Sequence, residues 1–255
     1  MKTTYKGMIS ILIVSIFGFT LVANGQEIKT IKNIVLVHGA FVDGSGWRGI
    51  YDILTKQGYK VSVTQHSTSS YDTDVAAVNR IIDQQDGPCI LVGHSYGGAI
   101  ITTAGNNPKV AALVFIAAHA PDSGESEANN GKLYPPLYKS LIKGDDGLDY
   151  IDPKKFSADF ANGVPVKTAE FMAISQPAIT DNAFHVVIQN PAWKIKPVWC
   201  VIAKSDRIIN PDLERFYAKR ANSVKTIEVE GAGHCVYISH PKECAALIVL
   251  ASKGK

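Results

Sequence analysis

The feature that most constrains this chain is the run Cys89-Ile90-Leu91-Val92 passing directly into Gly93-His94-Ser95-Tyr96-Gly97-Gly98. A short apolar run that follows the turn Asp86-Gly87-Pro88 reads as a strand buried on both faces. The small residues from Ala99 to Gly105 read as the start of a helix. Ser95 therefore sits in an abrupt strand-to-helix turn, with its hydroxyl directed out of the sheet and its backbone strained. Bulky side chains two positions before or after it would meet neighbouring backbone, so Gly93 and Gly97 are the residue types expected there.

A free serine hydroxyl is a poor nucleophile at neutral pH and needs a base within hydrogen-bond reach, itself oriented by an acid. Of the seven histidines, His234 has the best context. It ends Gly231-Ala232-Gly233-His234, just past the last strand-like run, where open α/β sheets build their sites. His240 opens the final helix and reads as a surface or capping residue. His66, His119 and His185 lack a matching context, and His38 and His94 flank the site on the wrong side for a base. Asp206, immediately past Val201-Ile202-Ala203-Lys204-Ser205, is favoured as the acid over Asp122, which follows the strand ending at Ala118. The developing oxyanion calls for pre-oriented backbone N–H donors. Tyr96, at a helix N-terminus, and Ala40, in the loop after the first strand, are the expected donors.

Elsewhere strands alternate with helices. Ile34–Val37, Tyr59–Thr64, Val110–Ala118, Val198–Ala203 and Thr226–Val229 read as strands. The segments around Ile50–Leu54, Val75–Ile82, Pro211–Ala221 and Pro241–Ser252 read as helices. That alternation implies an α/β fold with a mostly parallel, doubly wound sheet covered on both faces. From about 122 to 191 the pattern breaks into Gly, Pro, Asn and Asp with scattered large apolar residues, which reads as an inserted cap of short helices. Phe41, Tyr134, Tyr138 and Phe171 are the candidate substrate-binding residues, roofing an apolar pocket.

Together the His38-Gly39-Ala40-Phe41 loop, the Gly93–Gly98 turn, Asp206 and Gly233-His234 resemble the α/β-hydrolase superfamily across roughly residues 31 to 252, in the chain order Ser, Asp, His. More narrowly, Val37-His38-Gly39-Ala40, Trp47 and Ala120-Pro121-Asp122 resemble the serine esterases related to plant methyl esterases and hydroxynitrile lyases. The lyases of that group carry Thr at the position of Gly39 and Lys at the position of Cys235, so the resemblance implies the esterase side. It implies a serine hydrolase with a small hydrophobic ester substrate and an acyl-enzyme. An acyltransferase, a perhydrolase or a non-hydrolytic ligand receptor would share the same motifs.

Composition bounds the rest. With 255 residues, 46% hydrophobic and 19% charged, the chain suits one large domain over 26–255. Residues 1–25 read as a secretory signal. Lys2 and Lys6 precede an apolar run from Met8 to Ala23, and Ala23-Asn24-Gly25 supplies small residues ahead of a cut before Gln26. The expected location is periplasmic or secreted, with no stable membrane span after cleavage. That segment holds two of the 26 basic residues and none of the 23 acidic ones, so the remainder is nearly neutral. Nothing calls for a nucleic-acid partner. No metal-ligand spacing appears and no cofactor is expected. Cys89 and Cys200 lie in strand-like runs and read as buried thiols, whereas pairing of Cys235 with Cys244 is a matter of geometry.

Overall fold

The run at 33–37 is wholly buried, as a strand covered on both faces must be. The computed structural model describes residues 1–4 and 30–255, so the signal segment read at 1–25 lies outside the described residues beyond residue 4. The chain proceeds through β1 (Asn33–Val37), α1 (Arg48–Lys56), β2 (Lys60–Val63), α2 (Tyr71–Asp83), β3 (Cys89–Ser95), α3 (Tyr96–Ala104) and β4 (Val110–Ala118). The cap follows, with α4 (Glu127–Leu133), β5 (Leu141–Lys143), β6 (Leu148–Ile151), α5 (Pro153–Asp159), α6 (Val166–Ser175) and β7 (Ile179–Thr180). The body then closes with β8 (Val198–Ala203), α7 (Pro211–Arg220), β9 (Lys225–Val229), α8 (Val236–Ser239) and α9 (Pro241–Ser252).

The body sheet has six strands in the order β2-β1-β3-β4-β8-β9, every neighbouring pair parallel. The chain winds outward from β1 to β2, returns to β3, and continues the other way. The order therefore reverses between β1 and β3, and a crevice opens beyond their C-terminal ends. Strands β1, β3 and β8 are buried along their whole length. Each fully buried Val, Leu or Ile of such strands stabilises the fold by about 1.5–3 kcal/mol relative to exposure. Trp47, Trp199, Tyr96 and Tyr237 complete the interior.

The cap departs from the all-helical insertion expected. Besides α4, α5 and α6 it holds a three-stranded antiparallel sheet in the order β5-β6-β7. The cause is local. Gly147 takes φ +79° in the turn after β5, and the Leu148 N–H donates to Asp146 Oδ1, so the chain reverses into β6. Strand β6 buries Asp149 and Ile151 and exposes Tyr150 between them, a period of two that a helix would not produce.

Cys89, Cys200, Cys235 and Cys244 are all buried and unpaired. Among the described residues no helix is long and apolar enough to cross a membrane.

Candidate active site

At the end of β3, Ser95 adopts φ +54° and ψ −126°, a strained conformation for a residue with a Cβ. Its carbonyl accepts from the His119 N–H at 3.2 Å, which ties the turn to the end of β4. The flanking glycines are needed for space. A Cβ on Gly93 would stand 2.6 Å from the Gly97 carbonyl oxygen, and one on Gly97 would stand 2.5 Å from that of His38. Neither backbone neighbour has room to yield.

The loops after β8 and β9 meet at this same edge, where the Ser205 N–H donates to the Ala232 carbonyl at 2.8 Å. Asp206 Oδ1 accepts from the N–H groups of Ile208 and Ile209 at 2.7 and 3.0 Å, while Oδ2 accepts from His234 Nδ1 at 2.7 Å. Both side chains are fully buried. With Nδ1 donating, Nε2 is the basic nitrogen of the ring, and it has no partner among the described residues. The Ser95 hydroxyl makes no hydrogen bond to it, a contact that in substrate-free sites often tightens only on binding. His94 links the two residues. It neighbours Ser95 in the chain, its ring centroid lies 4.6 Å from that of His234, and its Nε2–H donates to the His234 carbonyl at 3.0 Å. Burial holds the His94 pKa well below the usual imidazole value, so its ring is neutral. From the cap, Phe160 meets the His234 ring edge-on at 5.0 Å. Asp122, the rival acid, lies elsewhere, paired with Lys194 at 2.5 Å.

The loop after β1 comes against the serine. A Cβ on Gly39 would sit 2.7 Å from Ser95 Cβ, so only glycine fits without displacement. His38 sets the direction of the next peptide. Its Nε2 accepts from the His66 N–H at 3.3 Å, so Nδ1 carries the proton and donates to the Gly39 carbonyl at 2.9 Å. In a trans peptide the C=O and N–H point opposite ways, so holding the Gly39 oxygen also aims the Ala40 N–H. The two imidazoles stack at 3.6 Å, and burial lowers the pKa of both. His38 thus positions an expected oxyanion donor, a task not read from the sequence. The Tyr96 side chain points away from the crevice, its hydroxyl donating to Asp74 at 3.0 Å. What it offers near Ser95 is its backbone N–H at the start of α3.

The alpha/beta hydrolase family profile matches residues 34–247. The chain belongs to that family. It is 24% identical to salicylic acid-binding protein 2 of Nicotiana tabacum over 87% of this chain and 98% of that protein. It is 30% identical to the carbendazim hydrolyzing esterase of Nocardioides sp. (strain SG-4G) over 63% of this chain and 65% of that protein. The crystal structure of polyneuridine aldehyde esterase superposes with a TM-score of 0.75 at 16% identity, covering 87% of this chain and 99% of that one. At that identity the likeness is one of fold.

In this alpha/beta hydrolase a cavity of about 280 Å³ opens onto Ser95, with Ala40, Phe41, Tyr134, Tyr138 and Phe184 in its wall. It lies near the small end of ligand pockets, roughly 300–1,000 Å³. Phe171, expected in this wall, is not there. It is 66% exposed and borders a separate groove of about 350 Å³ that Ser95 does not line. Helix α6 buries Ala169 and Ala173 instead, which turns Phe171 away from the body.

Two buried carboxyls near the site escaped the sequence reading. Glu214 donates or accepts nothing through Oε1, while Oε2 accepts from the Ala203 N–H at 3.1 Å. Burial, and then the neighbouring Asp206 carboxyl, raise its pKa well above the usual range, so it retains its proton beside the charge of the pair. Glu127 lines the serine's cavity with His119, whose Nε2 lies 3.4 Å from Glu127 Oε2. No sequence pattern marks either residue, since a lone acid in the first turn of a helix looks like any surface acid.

Proposed function

We propose that the protein is a serine esterase acting on small hydrophobic carboxylic esters through an acyl-enzyme. The observation that carries this reading is the buried Asp206–His234 pair, oriented with Nε2 unpartnered and tied through His94 to the strained Ser95 turn. In the reaction Ser95 Oγ attacks the ester carbonyl while His234 Nε2 takes its proton. Asp206 keeps the imidazole in the required tautomer and stabilises the imidazolium that forms. The Ala40 and Tyr96 N–H groups receive the oxyanion. The imidazolium then protonates the departing alkoxide, and a water deprotonated by the same nitrogen hydrolyses the acyl-enzyme.

The surroundings favour hydrolysis over cyanohydrin cleavage. A threonine at position 39 has no room against Ser95, and position 235 holds a buried, uncharged thiol where a lyase needs an ammonium. The mostly apolar cavity suits a modest acyl or alkyl group. The related esterase named above supports the same class of substrate. Export to the periplasm or medium, directed by residues 1–25, is part of the proposal and rests on their sequence pattern alone.

The test is turnover of p-nitrophenyl esters of graded chain length by the wild type and by Ser95→Ala. The wild type is expected to hydrolyse short and medium esters, and the variant to lose at least about a thousandfold in kcat. A variant that keeps full activity defeats the assignment.

A further inference from the structure

Glu127 carries a buried carboxyl oxygen with nothing to bond to, and it lies in the wall of the cavity that holds Ser95. The side chain is 6% exposed. Among the described residues, the one basic nitrogen within 4.0 Å of it is His119 Nε2, at 3.4 Å from Oε2. Oε1 is bare.

A hydrogen-bond network anchored on a half-buried ion pair fixes the donor that meets this carboxyl. Arg220 forms a double contact with Glu125, Nη1 to Oε1 at 2.6 Å and Nη2 to Oε2 at 3.0 Å. That guanidinium, with hydrogen bonds from Asp122 N–H and Asn130, holds Glu125 below the usual carboxylate range against the cost of burial, so Glu125 only accepts. The Asn130 atom 2.9 Å from Glu125 Oε2 must then be the amide nitrogen, which fixes the flip of that side chain. The same nitrogen reaches the Tyr217 hydroxyl at 2.9 Å and can only donate to it. The Tyr217 proton is therefore free for His119 Nδ1, a long contact of 3.5 Å. Nδ1 becomes the acceptor, Nε2 carries the proton, and it points at Glu127 Oε2.

We propose that Glu127 is a specificity residue of the esterase site, donating a hydrogen bond from Oε1 to an uncharged oxygen of the substrate (a ketone, ether or hydroxyl) remote from the scissile carbonyl. The inference rests on the esterase reading and refines it, since the cavity becomes an apolar pocket with one polar reader. The protonation states agree with the geometry. Burial raises the Glu127 pKa well above its usual value and pushes His119 down to about 3, so the pair is neutral acid and neutral imidazole. With Oε2 receiving from His119, the acid proton belongs on Oε1, the unpartnered oxygen of this cavity-wall residue. A purely hydrocarbon substrate leaves that O–H buried and unbonded, a state that proteins avoid.

The experiment uses matched p-nitrophenyl esters: hexanoate, its isosteric ether and ketone, and its isosteric amine. The kcat/KM ratio of each to hexanoate is measured in the wild type, Glu127→Gln and Glu127→Met. Dividing the wild-type ratio by the variant ratio cancels the intrinsic reactivity of each ester. The ether or ketone ratio is expected to fall about three- to tenfold in Glu127→Met, the worth of one neutral hydrogen bond, and to survive in Glu127→Gln, which keeps a donor. Equal ratios in wild type and Glu127→Met overturn the proposal. So does a wild-type preference for the amine that vanishes in Glu127→Met, because that marks an ionised carboxylate binding a cation. Calorimetric binding of the same intact esters to Ser95→Ala supplies the comparison without turnover. Absence of turnover by the wild type overturns the esterase reading, while the calorimetry still decides the role of Glu127.

Discussion

Two buried histidine–carboxyl pairs stand at the same crevice, and they are built in opposite ways. In His234–Asp206 the contact is 2.7 Å and the second carboxylate oxygen takes two backbone N–H groups. In His119–Glu127 the contact is 3.4 Å and the second oxygen takes none. Donor count separates them. A carboxylate with three short donors is compensated for its lost hydration, whereas one with a single long donor is stabilised by holding its proton. An imidazole and a carboxyl therefore make a tight, fully donated pair in one place and a neutral, loosely bonded pair in the other. The backbone makes the difference, since Asp206 sits in a loop whose following N–H groups fold back on it and Glu127 does not.

Breaking the tight pair should have the largest effect. Asp206→Asn is expected to lower kcat by about a thousand- to ten-thousandfold, because the amide no longer imposes the reactive tautomer on His234. Circular dichroism should show the fold retained. A loss under about tenfold would show that the two pairs do not differ in the way described. Tyr217→Phe tests the loose pair from behind. It strips His119 Nδ1 and the Asn130 amide of a buried partner and should lower stability by about 1–2 kcal/mol, a few degrees in Tm. An unchanged melting curve would mean that the hydrogen-bond network contributes nothing to the fold. Phe171→Ala should have the smallest effect, less than about twofold on kcat/KM for p-nitrophenyl esters. A tenfold loss would move Phe171 into the serine's cavity.

How much of this was legible beforehand depends on the kind of signal. Val110–Ala118, Val198–Ala203 and Pro241–Ser252 are found at the bounds read from the sequence. Long apolar runs and a proline at a first helical turn are local signals strong enough to survive any context. The cap sheet was missed because β5, β6 and β7 are two to four residues long. Such segments are too short for a periodicity to be counted, and their pairing is non-local. Helix α8 is likewise a single turn. Phe171 was misplaced because an aromatic residue announces burial but not which groove it faces. His38 looked like a bystander because its function lies in a tautomer set by the backbone of His66.

By itself the sequence determined the parallel α/β frame and the turn that strains Ser95, because strands, helices and tight turns depend on residues adjacent in the chain. Only the tertiary structure decided that Asp206, and not Asp122, meets His234, and that Glu127 and His119 stand before the serine. Those pairings join loops brought together by strand order and by the fold of the cap. A carboxyl's protonation depends on how many donors surround it in space, which no pattern of neighbours along the chain records.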